Sequence, residues 1–145
     1  MTGLPPDLVC AAARAWIGTP YRHQASLKGV GCDCLGLVRG VWRDLVGPEP
    51  EEPPPYGPPG TDGSGVEALT EALGRWCPPA SGGPAAGRIL VLRLRSGAPA
   101  RHCAIATGPT TMIHAQDGAA VAEVPLPPLW HRRIAAVFVF PRRPS

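Results

Sequence analysis

Apolar residues recur at helical spacing along the first half of the chain. The first stripe predicts a helix over residues 7–17, with Asp7 as its cap. A second stripe predicts a helix that begins at about Cys34, and a third predicts a helix over 66–76. The N-terminal part of the chain is therefore expected to be helical.

The second half changes to short apolar runs that are typical of strands and are separated by turn-forming residues. These runs cover residues 89–95, 102–107, 111–115, 120–124 and 134–140. Helices first and strands second predict an α+β fold, in which N-terminal helices pack on an antiparallel β-sheet of about five strands. With 145 residues, the chain has the usual size of one domain, which we place at 1–145.

Residues 47–65 interrupt this pattern with seven prolines and five glycines. Such a composition disfavours both helix and sheet hydrogen bonds, so the segment is predicted to be a long surface loop. It is either a lid or docking surface, or a passive connector.

Composition and charge exclude some classes of function. The net charge is only +3 and the basic residues are scattered, which does not favour nucleic-acid binding. There is no apolar run long enough for a membrane span, and the N-terminus does not resemble a signal peptide. We therefore expect synthesis in the cytoplasm, and any cell-wall target would be reached by lysis or by carriage on a particle. Five cysteines, an odd number, argue against a disulfide scaffold.

Cys34 is the candidate nucleophile. A thiol attacks carbonyl groups as the thiolate, and a helix N-terminus stabilises that charge. Gly29, Gly31 and Gly36 surround it and would allow a substrate to approach the backbone closely. Alone, this pattern also fits a buried structural cysteine.

His102 and His114 lie on consecutive predicted strands. A symmetric loop centred on Gly108 would place them directly opposite each other on one face of the sheet. Either histidine alone could be structural. Together with Cys34, they predict a nucleophile, a base and a residue that orients the base.

A zinc site made of Cys32, Cys34 and His23 is the alternative chemistry. Its spacing is poor for structural zinc, so we predict no metal and no cofactor.

Three segments, GTPYRHQASLKGVGCDCLGLVRGVW, RHCAIATGP and MIHAQDG, resemble the NlpC/P60 cysteine peptidases, and most closely the branch associated with tails of phages and gene transfer agents. The resemblance spans residues 8–141. It implies a permuted papain-like fold and cleavage of the peptidoglycan stem peptide, typically between D-γ-glutamate and a diamino acid. It also implies that Tyr21 faces the cleft near the oxyanion, that Asp33 binds the amine of the substrate, and that tail-tip or hub proteins are partners.

The chain departs from the family pattern at several positions. Leu35 replaces a frequent serine, residues 23–25 replace an aromatic residue and glycines, and Arg88 replaces a frequent acidic residue. The first two departures concern substrate subsites and not the nucleophile, whereas Arg88 would remove one structural contact. Two alternatives stay open: a structural tail-tip component with little activity, and an amidase or acyltransferase that uses the same three residues.

Overall fold

The computed structural model describes residues 3–51, 53, 68–93 and 100–142. The helices are α1 (Pro6–Arg14), α2 (Cys34–Leu45), α3 (Ala68–Trp76) and α4 (Pro128–His131). The strands are β1 (Ser26–Leu27), β2 (Gly31–Cys32), β3 (Arg88–Arg93), β4 (Ala100–Ala106), β5 (Thr111–His114), β6 (Ala122–Pro125) and β7 (Ile134–Val139). The last five strands form one antiparallel sheet in the order β6-β5-β4-β3-β7, which confirms the predicted α+β fold class.

Both faces of the sheet are covered. One face packs on α1 and α2, through residues such as Val9, Leu37 and Ile105. The other face, which includes Leu90 and Met112, packs under the segment from β6 to β7. Burial on both faces explains why β3 is a continuous apolar run and does not alternate.

The first predicted helix has the right position but wrong ends. The N-cap is Pro5, which makes no side-chain cap, so the prediction that Asp7 is the cap is wrong. Asp7 lies in the first turn, where a carboxylate is favourable to the helix dipole. After Arg14 the α-helix gives way to a tighter turn of the 3₁₀ type, in which Ile17 N–H donates to the carbonyl of Arg14, three residues earlier.

Two elements have no counterpart in the sequence predictions, the short hairpin of β1 and β2 and the four-residue helix α4. Residues 66–67 of the predicted third helix, residues 94–95 of the predicted first strand and most of the predicted 47–65 loop lie outside the described residues.

Candidate active site

Cys34 is the first residue of α2, as predicted, and it is half-buried. Asp33 caps the helix: its Oδ1 accepts the N–H of Gly36 at 2.7 Å, and its Oδ2 accepts the N–H of Gln24 at 2.7 Å. The carboxylate therefore joins the start of α2 to the preceding segment. This cap fixes the position of the sulfur relative to the sheet.

Gly36 allows close packing within the protein, and its predicted role in the approach of a substrate stays a prediction. A Cβ atom at this position would overlap the carbonyl oxygen of Ala25. A Cβ atom at Gly31 would lie within 3 Å of the side chain of Arg22. Both glycines therefore allow segments of the protein itself to pack closely beside Cys34.

The histidines share a face of the sheet, but they are not directly opposite each other. Ile105 pairs with Ile113 and Ala106 with Met112, so the loop is centred on Pro109 and not on Gly108. Continuing this register makes His102 a diagonal neighbour of His114. The prediction that both histidines lie on the same face of the sheet is confirmed. The predicted pairing of His102 directly with His114 is wrong. Rings can still meet across a diagonal pair.

The two rings do meet. His102 Nε2 lies 2.8 Å from His114 Nδ1, and the ring planes are inclined by 77°. Both residues are buried, with 6% and 7% exposure. Burial, and then the charge of His102, lower the pKa of His114 to about 4. His114 is therefore neutral near pH 7, so its Nδ1 can accept a hydrogen bond from His102 Nε2–H.

This arrangement leaves His102 Nδ1 as the ring nitrogen available to Cys34. A hydrogen bond from the Cys103 thiol lowers the pKa of Cys34 most, followed by the hydrogen bond and charge of His102. Desolvation opposes them, but the pKa still lies well below that of an ordinary thiol. This direction of the shift favours the thiolate, which is the nucleophilic form of the sulfur.

Cys103 was not predicted as a site residue. It is completely buried in β4, immediately after His102. The sequence contained one signal, the position of a cysteine next to the candidate base, but nothing in the sequence showed that this thiol would affect the pKa of Cys34.

Tyr21 lies beside the nucleophile. Its backbone bridges to Cys32, and its half-buried side chain packs against the core. Burial raises the pKa of Tyr21 well above its usual value, and the negative charges of Cys34 and Asp33 raise it further. The phenol therefore keeps its proton and can act as a hydrogen-bond donor.

Asp33 lies next to the nucleophile but presents little surface to a ligand. Its side chain is only 2% exposed, and both oxygens already accept backbone N–H groups. His23 Nδ1 lies 3.9 Å from Oδ2. The predicted contact of Asp33 with the amine of a substrate stays a prediction, whereas its capping role is observed.

Within the described residues, no group of three His, Cys, Asp or Glu side chains is placed to hold a metal ion. Over the same part of the chain, every helix is too short or too polar to cross a membrane.

The low pKa of His114 predicts acid sensitivity. An unfolded histidine titrates near 6.5 and the folded one near 4, so between these values the unfolded state binds more protons. Stability should fall as the pH drops through that window, by about 2 kcal/mol between pH 7 and pH 5. Urea unfolding at the two pH values measures this loss, and His114→Gln should flatten it. An equally steep dependence in His114→Gln would assign the sensitivity to other groups.

Comparison with known proteins adds a structural likeness. No family model and no curated protein sequence match the chain. The NlpC/P60 domain of the peptidoglycan hydrolase SagA is similar, with 25% identity, a TM-score of 0.57, and coverage of 84% of this chain and 90% of that domain.

Two longer proteins are also similar. An NlpC/P60 family protein from Bacillus cereus has 19% identity and a TM-score of 0.61, covering 97% of this chain and 40% of that chain. A lipoprotein-like NLP/P60 protein from Staphylococcus aureus has 15% identity and a TM-score of 0.61, covering 95% and 42%. This chain thus spans about two fifths of the length of those two proteins. The shared architecture shows that it has the NlpC/P60 fold.

Proposed function

We propose that this chain is an NlpC/P60 cysteine peptidase that hydrolyses an amide bond in the stem peptide of peptidoglycan. Cys34 is the nucleophile, His102 the base, and His114 the residue that orients His102. One observation carries the proposal: His102 Nε2 contacts His114 Nδ1 at 2.8 Å, and the same His102 lowers the pKa of Cys34, the half-buried thiol at the start of α2. The likeness to a domain of a peptidoglycan hydrolase supports the choice of substrate.

The geometry suits acyl transfer. The Cys34 thiolate attacks the carbonyl carbon, a C–S bond forms, and the carbonyl oxygen becomes an oxyanion. Protonated His102 then gives its Nδ1 proton to the departing amine as the C–N bond breaks. Water, deprotonated by His102, hydrolyses the thioester and restores the thiolate. Neutral His114 keeps the ring of His102 in the required plane throughout.

Two groups are suited to stabilise the oxyanion. The start of α2 is one of them, because the helix dipole favours negative charge beside Cys34. The neutral hydroxyl of Tyr21 is a second donor at the same end of the helix. The Asp33 carboxylate can accept further hydrogen bonds, but its side chain is only 2% exposed, so a direct contact with the amine of the substrate would require the groups that cover it to move.

The sequence resemblance supports a finer proposal. The scissile bond would join D-γ-glutamate to a diamino acid, and the protein would be carried on a phage-like tail, held by tail-tip or hub proteins, and delivered to the cell wall. Mass spectrometry of purified phage-like particles tests whether they carry this protein. Particles in which the protein is not detected would contradict the proposal.

Incubation with purified peptidoglycan fragments tests the activity. Mass spectrometry should detect product pairs that carry a new γ-carboxyl terminus on D-glutamate and a new free amine on the diamino acid. The same protein, alkylated beforehand with iodoacetamide, is the control and should give no product. If fragments stay intact over a wide range of pH, the protein is a structural component. If acyl groups move to an added amine without net hydrolysis, it is an acyltransferase.

A further inference from the structure

Ser26 contacts the chain on both sides of the nucleophile. In the hairpin of β1 and β2 it pairs with Cys32, which lies shortly before Cys34 in the chain. Its hydroxyl donates to the carbonyl oxygen of Gly36, in the first turn of α2, at 2.6 Å. The position of Ser26 is therefore coupled to the backbone on either side of the Cys34 sulfur.

Arg43, in the last turn of α2, holds Ser26 in place. Its Nη2 donates to the carbonyl oxygen of Ser26 at 2.6 Å and to the hydroxyl oxygen at 2.9 Å. A guanidinium has no acceptor atom, so the Ser26 hydroxyl must accept this bond and direct its single proton to the carbonyl of Gly36. Arg43 thus orients the hydroxyl, although it lies about 13 Å from Cys34 along the helix axis.

The carboxylate of Glu49 binds Arg43 and a second arginine one helical turn earlier. Glu49 Oε2 accepts Arg43 Nη1 at 2.9 Å, and Glu49 Oε1 accepts Arg39 Nε at 2.6 Å. Among the described residues, the hydrogen bonds of the Arg39 guanidinium are to Glu49 alone, whereas Arg43 also bonds to Ser26. The two arginines therefore share one ion-pair partner and differ in their contact with Ser26.

We propose that Arg43 is a positioning residue for the nucleophile: bound by Glu49, it holds Ser26, and Ser26 holds the backbone that carries Cys34. The proposal rests on the proposed function of Cys34 and names a residue that supports it from outside the reacting groups. Such support matters because a displacement of about 1 Å at a reacting atom can lower a rate by up to about 10²-fold. Arg43 acts through Ser26 and takes no part in the chemistry itself.

The experiment compares Arg43→Met with Arg39→Met in the full chain, because both remove an arginine that binds the same carboxylate. It measures kcat and KM on peptidoglycan fragments, and the pH midpoint for alkylation of Cys34 by iodoacetamide. Arg43→Met should lower kcat about tenfold with KM within about twofold. It should also raise the midpoint by about half a pH unit, because a displaced sulfur is less stabilised by His102 and the helix start. Arg39→Met should stay near wild type in both, although both variants should lose stability in urea.

Two substitutions of Ser26 test the same path from its other end. Ser26→Ala removes the hydroxyl and keeps the pair of Arg43 with Glu49, and it should move the alkylation midpoint in the same direction as Arg43→Met. Ser26→Thr keeps a hydroxyl and should return the midpoint to near wild type. The double variant of Ser26→Ala and Arg43→Met should be little worse than Arg43→Met alone, because the two side chains act in series. If Arg43→Met does not fold, Ser26→Ala decides in its place.

A wild-type alkylation midpoint in folded Arg43→Met overturns the proposal. An equal shift in Arg39→Met also overturns it, because loss of the ion pair with Glu49 would then explain the effect. Alkylation requires no peptidoglycan. If no fragment is cleaved but the midpoint moves as expected, the peptidase proposal fails and the positioning of the Cys34 thiol by Arg43 stands.

Discussion

Cys34→Ala is expected to abolish peptidoglycan cleavage, with kcat/KM lowered by roughly 10⁴-fold and the fold retained. Alanine has no nucleophilic atom in its side chain, so it cannot form the thioester. The side chain is half-buried at the first position of a helix, where alanine is well tolerated. The rate of product formation measures the loss of cleavage. Circular dichroism and thermal unfolding measure whether the fold is retained.

His102→Ala should cause a loss of similar size, and the double variant should be little worse than Cys34→Ala, because the two groups act as one unit. Cys77→Ala is the matched control. It removes a buried thiol from the same core and should retain activity within a few-fold. Cleavage by Cys34→Ala within tenfold of wild type would place the nucleophile elsewhere.

Gly40→Ala is expected to destabilise the protein by about 2 kcal/mol, although alanine normally favours a helix. Gly40 lies in the middle of α2, directly under the ring of Trp16, and an added Cβ would overlap that ring. The ring has little freedom to move. It is 1% exposed, and its Nε1 donates to Asp44 Oδ2 at 3.3 Å. The overlap must push α2 away from the turn that follows α1.

Gly74→Ala provides the matched control, because it makes the same change in the interior of α3. There the added Cβ would meet the Phe138 ring at 3.7 Å, an ordinary contact. This variant should be stabilised by up to about 1 kcal/mol through helix propensity. Urea unfolding of both variants should give shifts of opposite sign, and a stabilised Gly40→Ala would contradict the close packing of Trp16 on α2.

The local pattern of the sequence determined much of the architecture. Helical periodicity placed α2 with Cys34 at its start, and the apolar runs located all five strands of the large sheet. Hydrophobic periodicity and secondary-structure propensity depend on residues that are close in sequence. They can therefore be recognised without knowing which segments pack against each other in the fold. The alternation of side chains along a strand is also local. It placed His102 and His114 on one face of the sheet, even though the centre of the loop was predicted one residue too early.

Tertiary structure alone decided how those elements meet at the site. The contact of His102 with His114, and the close contact of Gly36 with Ala25, both depend on how separate segments of the chain pack together. The buried environment that makes His114 a neutral acceptor is likewise a property of the packed core. Contacts between distant segments and the desolvation of a side chain arise only when the whole chain has packed, and no local pattern encodes them.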